Sequence, residues 1–180
     1  FHTQLYTGNG SSGHSITNDA NAGNFQPDWL WIKPRSASDN HVVFDSSRGE
    51  DRQLKTNGTD AEDTHSPARV TIESDGFDLD TTDGNYNGNG TTYVAWQWKA
   101  NGGSRTTFTE SGDNPGGGYQ ANTTAGFSIV DFVGTGANGT VQHGLGVAPR
   151  WYIVKNRDRS ANWQIYHEDN GNTHFIKLNE

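Results

Sequence analysis

Phe25-Gln-Pro-Asp-Trp-Leu-Trp-Ile-Lys-Pro-Arg35 and Val147-Ala-Pro-Arg-Trp-Tyr-Ile-Val-Lys-Asn-Arg157 are the two stretches that decide the fold. Set side by side, Pro27 meets Pro149, Trp29 meets Trp151, Lys33 meets Lys155 and Arg35 meets Arg157, always 122 residues apart. The same offset brings Asn40 to Asn162, Val43 to Ile165, Phe44 to Tyr166, Gly49 to Gly171, and Leu54-Lys-Thr-Asn57 to Ile176-Lys-Leu-Asn179. Upstream, Tyr6-Thr-Gly-Asn-Gly10 matches Phe132-Val-Gly-Thr-Gly136 at an offset of 126. Chance similarity does not hold one register from Pro27 to Asn57, so an internal repeat is expected.

Both stretches read as strands. Asp28-Trp-Leu-Trp-Ile-Lys33 is apolar on both faces, as in a central strand between two layers. His41 to Asp45, Val70 to Asp78 (broken at Asp75-Gly76) and Tyr93 to Trp98 alternate or run apolar, as do Phe1 to Thr7, Phe127 to Val133, Trp151 to Lys155 and Trp163 to His167. An apolar stripe of helical period is absent. Gly, Asn, Thr and Ser make up 73 of the 180 residues, which is the chemistry of turns and strand surfaces. Aromatics at 11% separate the chain from disordered sequences. The expected class is all-β, with turn signals at the spacing of an antiparallel β-sandwich.

The organisation expected is a first repeat over residues 1–100, a Gly-rich linker over 101–124 with Gly116-Gly-Gly118, and the N-terminal part of a second repeat over 125–180. The second copy stops opposite Gly58 and lacks counterparts of Val70–Asp78 and Tyr93–Lys99. Half a sandwich bares its apolar face. It is therefore expected to borrow strands from the first copy, from a partner chain, or from sequence beyond Glu180, the last being preferred. A start at Phe1, inside a strand signal, reads as a piece of a longer polypeptide.

Composition excludes several classes. Absence of Cys removes disulfide scaffolds, Cys-ligated zinc and thiol nucleophiles. A net charge of -8, with 13 basic residues thinly spread, argues against nucleic acid. No apolar run reaches the roughly 18 residues of a membrane helix, and no signal peptide opens the chain, so no membrane insertion is expected. Gly8-x-Gly10-x-x-Gly13 and Gly134-x-Gly136-x-x-Gly139 carry the dinucleotide fingerprint, but no helix signal follows either. They are expected to be tight hairpins. The five Asn-x-Ser/Thr sequons, at Asn9, Asn57, Asn89, Asn122 and Asn138, read as turns.

The loop containing Asp78, Asp80 and Asp83 concentrates hard oxygen ligands, which either hold calcium or form a solvated β-turn. Trp29, Trp31, Trp96 and Trp151 lie inside apolar runs and are expected in the core. Trp98 and Trp163, beside polar residues, and Tyr86 and Tyr119, in loops, are the aromatic candidates for stacking on sugar rings. The seven His form no His-x-x-x-His pair, and no serine elbow is present. The expectation is a non-enzymatic protein without an obligate cofactor.

Tyr6-Thr-Gly-Asn-Gly-Ser11, Phe25 to Lys33, Phe44-Asp-Ser-Ser-Arg-Gly49, Ser74-Asp-Gly-Phe-Asp-Leu79 and Tyr93-Val-Ala-Trp-Gln-Trp-Lys99 together resemble a family of tandem-repeat domains in tail-fibre and other virion structural proteins of marine bacteriophages. The resemblance implies concanavalin-like or jelly-roll sandwiches carried in tandem on an appendage at the virion surface. It transfers no catalytic residue. Its implied partners are other virion proteins, copies of the chain itself in a homo-oligomer such as a trimer, and host surface glycans. The alternative is an accessory carbohydrate-binding module of a secreted bacterial polysaccharide-degrading enzyme.

Overall fold

The computed structural model describes residues 1–180. Nine strands build the first half: β1 (His2–Thr7), β2 (His14–Thr17), β3 (Trp29–Pro34), β4 (Val42–Asp45), β5 (Arg52–Lys55), β6 (Asp63–Thr64), β7 (Val70–Glu73), β8 (Gly76–Leu79) and β9 (Thr92–Trp98). Six follow: β10 (Thr106–Phe108), β11 (Gly117–Asn122), β12 (Phe127–Phe132), β13 (Trp151–Val154), β14 (Gln164–His167) and β15 (Ile176–Lys177), with one 3₁₀ turn at Glu168–Asn170. All pairings are antiparallel. The chain is all-β, and its main body is a β-sandwich.

A six-stranded sheet in the order β1-β9-β3-β4-β5-β6 faces a three-stranded sheet in the order β2-β8-β7. Alternation decides what lies between them. Leu30 and Ile32 of β3, Val42 and Phe44 of β4, and Tyr93 and Ala95 of β9 point inward onto Ile16, Val70, Phe77 and Leu79 of the smaller sheet. Each fully buried aliphatic or aromatic side chain here contributes about 1.5–3 kcal/mol of transfer free energy. Tyr6 and Tyr93 stack at 4.9 Å and 11° within this layer, and their hydroxyls donate to the carbonyls of Tyr86 and Gly84 at 2.8 and 2.6 Å.

The other face of the six-stranded sheet carries Trp29 opposite Trp98 and Trp31 opposite Trp96. The expectation that Trp29, Trp31 and Trp96 lie in the core is corrected: all three are only half-buried, because β3 and β9 spend their other side on the core. Trp151, also expected there, is 51% exposed.

Two further three-stranded sheets, β10-β11-β12 and β13-β14-β15, complete the molecule. β13–β15 pair in the same register as β3–β5 with every residue number raised by 122. Trp29↔Asp45 and Leu30↔Phe44 correspond to Trp151↔His167 and Tyr152↔Tyr166. Val42↔Lys55 and Val43↔Leu54 correspond to Gln164↔Lys177 and Ile165↔Ile176. The loop bonds shift by the same amount: the Asn57 side chain accepts from His41 N–H, and Asn179 accepts from Trp163 N–H.

The linker expected over 101–124 is not one, since β10 and the whole of β11 lie inside it. A Cβ on Gly117 would collide with the Asp131 carbonyl, and one on Gly118 with the Arg105 guanidinium, so these glycines permit close approach rather than flexibility. The hairpin expected at Gly8–Gly13 is likewise a crossover. β1 pairs with β9 and β2 with β8, so the glycine-rich loop passes from one sheet to the other.

Candidate functional site

The outward Trp face of the six-stranded sheet forms the floor of a cleft of about 1570 Å³. Trp29, Trp31 and Trp98 line it together with Phe127 and Ile129 of β12 and Trp151 and Ile153 of β13. Trp98 packs on Phe127 at 6.0 Å and on Phe1 at 4.7 Å. Trp31 meets Trp96 edge-on at 5.5 Å, and its buried indole N–H has no hydrogen-bond partner. Small-molecule sites usually span about 300–1,000 Å³, so this cleft has the capacity for a segment of chain.

An ion network closes one end. Arg48 reaches Asp45 at 2.5 Å and Glu62 at 2.7 Å, and Arg157 embraces Glu62 through Nε at 2.9 Å and Nη2 at 2.7 Å. The Arg48, Asp45 and Glu62 side chains are all less than one-tenth exposed. Burial pushes the Glu62 carboxyl up, but the guanidiniums of Arg157 and Arg48 outweigh it and hold the group below the usual carboxylate range. Two cations and two anions neutralise each other here. The same network docks β13–β15 on the sandwich, assisted by Trp163 Nε1–H donating to the Lys55 carbonyl at 2.9 Å and Ala161 N–H to Thr59 at 2.9 Å. Lys155 lines the cleft without a carboxylate partner, donating to the Asn156 carbonyl at 2.7 Å, and burial lowers its ammonium below the ordinary range.

The four aromatic candidates do not form one platform. Tyr86 is fully buried, with Arg69 donating to its hydroxyl at 3.1 Å and Phe44 packed edge-on at 5.8 Å; burial pushes its phenol up to about 12. Trp163 is buried by its bond to Lys55. Neither has a free ring face for a sugar, which corrects their placement as glycan contacts. Trp98 and Tyr119 still reach solvent, Tyr119 stacked on Phe108 at 6.3 Å. Trp29 and Trp31, which the sequence reading put in the core, are the aromatic surface it missed. The signal was there: a strand apolar on both faces has a second face to dispose of.

The calcium candidates point to different partners. Asp83 takes Arg69 at 2.5 Å and the Asn85 amide and side chain, Asp80 takes the Thr71 hydroxyl at 2.9 Å, and Asp78 lies on β8 opposite Thr71. No three acidic or imidazole groups converge to hold a cation. The loop is tied instead by Asn87, fully buried, which donates to the carbonyls of Ser11 and Thr81 and accepts from Asn9 N–H.

A family model described as a domain of unknown function, DUF7483, matches residues 1–180. The chain belongs to that family. Its match takes in the sandwich, both outer sheets and the cleft between them, so in this DUF7483 chain the three are parts of one family unit. No curated protein and no solved structure matches it.

Proposed function

We propose that the chain is a non-enzymatic structural module of an extracellular appendage, the tail fibre or surface of a virion, built from tandem β units that contact one another, neighbouring virion proteins and host-cell glycans. One observation carries this reading: β3–β5 and β13–β15 share a single register displaced by 122 residues. A chain that repeats a supersecondary unit in series gains length and surface by adding copies, which is the economy of fibrous appendages. The sequence resemblance to phage tail-fibre domains supports the setting. Trp98 and Tyr119 are the expected aromatic contacts that remain solvent-facing.

The Trp-lined cleft favours a second reading, an accessory carbohydrate-binding module of a secreted polysaccharide-degrading enzyme. Immunogold labelling of purified particles from the source culture separates the two. Label on appendages is the expected result; recovery of the antigen only within a secreted hydrolase would replace the first reading with the second. A glycan array with the intact chain tests recognition itself. Binding is expected to fall at least tenfold in Trp98→Ala, and a blank array would reduce the role to architecture.

A further inference from the structure

β1 and β3 do not touch each other; β9 lies between them and pairs with both. β12 matches β1 by the Tyr6–Gly10 and Phe132–Gly136 similarity, and β13 matches β3 by the shared register. Each of these two later strands ends its sheet, β12 at the edge of β10-β11-β12 and β13 at the edge of β13-β14-β15. Both line the same cleft. No strand pairs with both.

Glycines mark what is absent. In the first half, Gly8 and Gly10 sit against the turn that leads into β9. A Cβ on Gly8 would strike Gly88, and one on Gly10 would lie 2.8 Å from the Asn89 side chain. Gly8 N–H donates to the Thr91 carbonyl, and Gly90 N–H donates to Gly8. At the matching positions, Gly134 and Gly136 have nothing within 4 Å. Leu30 and Ile32 are fully buried against the facing sheet, whereas Tyr152 and Val154 at their places are 46% and 39% exposed.

We propose that the space between β12 and β13 is the slot of a central strand, filled by a β9-type strand: an extended segment with the pattern of Thr92–Trp98, preceded by an Asn-Gly turn. Its two edges hydrogen-bond to β12 and β13, and its turn seats on Gly134 and Gly136. Strand addition of this kind draws affinity from the backbone ladder and specificity from alternate side chains. It joins one unit of the family to the next, so it rests on the tandem reading of the chain.

The test titrates a synthetic peptide of residues 85–99 into the intact chain and follows binding together with backbone hydrogen exchange. The expected result is saturable 1:1 binding that slows exchange at least tenfold in both 127–132 and 151–154. A peptide with Ala95→Pro, which removes a ladder donor and strains the strand, is expected to lose at least tenfold in affinity. In the chain, Gly134→Val is expected to weaken binding by a similar factor while leaving its unfolding midpoint unchanged, because Gly134 has no neighbour to clash with.

Protection of only one of the two strands, equal binding of the Ala95→Pro peptide, or no protection at millimolar peptide would overturn the proposal. So would chain dimerisation that the peptide does not compete, since a whole second copy would then own the cleft, or a glycan that protects the same amides in the peptide's place. The labelling experiment is independent: appendage label with a silent peptide defeats the slot alone, and peptide binding without appendage label defeats the setting alone.

Discussion

Asp28 shows how much one side chain organises. It is fully buried at the start of β3, and its carboxylate accepts from Ala100 N–H at 2.7 Å, Gly102 and Gly103 N–H at 2.9 Å, Ser46 Oγ at 2.8 Å and Gln26 Nε2 at 3.1 Å. Truncation strands the buried Ala100 N–H and unpairs four part-buried donors, an unsatisfied buried donor costing about 1–3 kcal/mol. Asp28→Ala is therefore expected to lose at least ~3 kcal/mol, lowering the melting temperature by about 10 °C for a chain of this size, read by calorimetry. Glu62 gives a pH-dependent counterpart. Its folded carboxyl ionises below the ordinary value of about 4.3 that it regains on unfolding. The unfolded state thus binds more protons between those two values, so the stabilisation is complete above about pH 5 and is lost as pH falls through the lowered folded value. Glu62→Gln is expected to cost on the order of 2 kcal/mol at pH 7. In urea titrations the gap to the parent chain is expected to shrink steadily below pH 4; a constant gap would contradict the assignment.

At the scale of elements, β11 tests whether its glycines serve close approach. Gly117→Val places a branched side chain against the Asp131 carbonyl of β12, and overpacking of that kind costs about 1–3 kcal/mol. Faster hydrogen exchange is expected across β10–β12, with β3 and β4 unchanged. Such strands were hard to read in the sequence, where Gly116-Gly-Gly118 looks like a hinge; only the pairing of Gly117 with Phe132 and Gly118 with Asp131 shows otherwise. β3, β4, β9, β12 and β13 were legible because Trp, Val, Ile and Phe cluster in them, and β7–β8 because Asp75-Gly76 breaks a clean alternation. β2, β6, β10 and β15 are short or polar, and tertiary pairing rather than composition makes them strands. The site was legible only in part. Tyr86 and Trp163 have polar neighbours and looked exposed, yet Arg69 and the Lys55 carbonyl satisfy their polar atoms inside the fold. Which side of β3 and β9 is core and which is cleft depends on sheets far away in sequence, beyond the reach of local pattern.

The whole molecule is uneven in how it protects strands of like sequence. β3 is paired on both edges, by β4 and β9, and its inward residues have no solvent exposure. β13 has one paired edge, toward β14, and three of its four residues are exposed. Local opening requires little where backbone bonds face solvent and few apolar contacts break, so stability within one chain ranges from near zero to the global value. Amides of 151–154 are therefore expected to exchange at least a hundredfold faster than those of 30–33, a difference of about 2.7 kcal/mol in opening free energy, measured on the isolated chain by mass spectrometry. Docking through Arg157–Glu62 and Trp163 sets how far β13–β15 opens as a body: Trp163→Ala is expected to accelerate exchange in β14 and β15 as well, without changing β3. Equal protection of β3 and β13 in the chain alone would mean that the edge of β13 is already satisfied, and that the two meanders, alike in register, are also alike in stability.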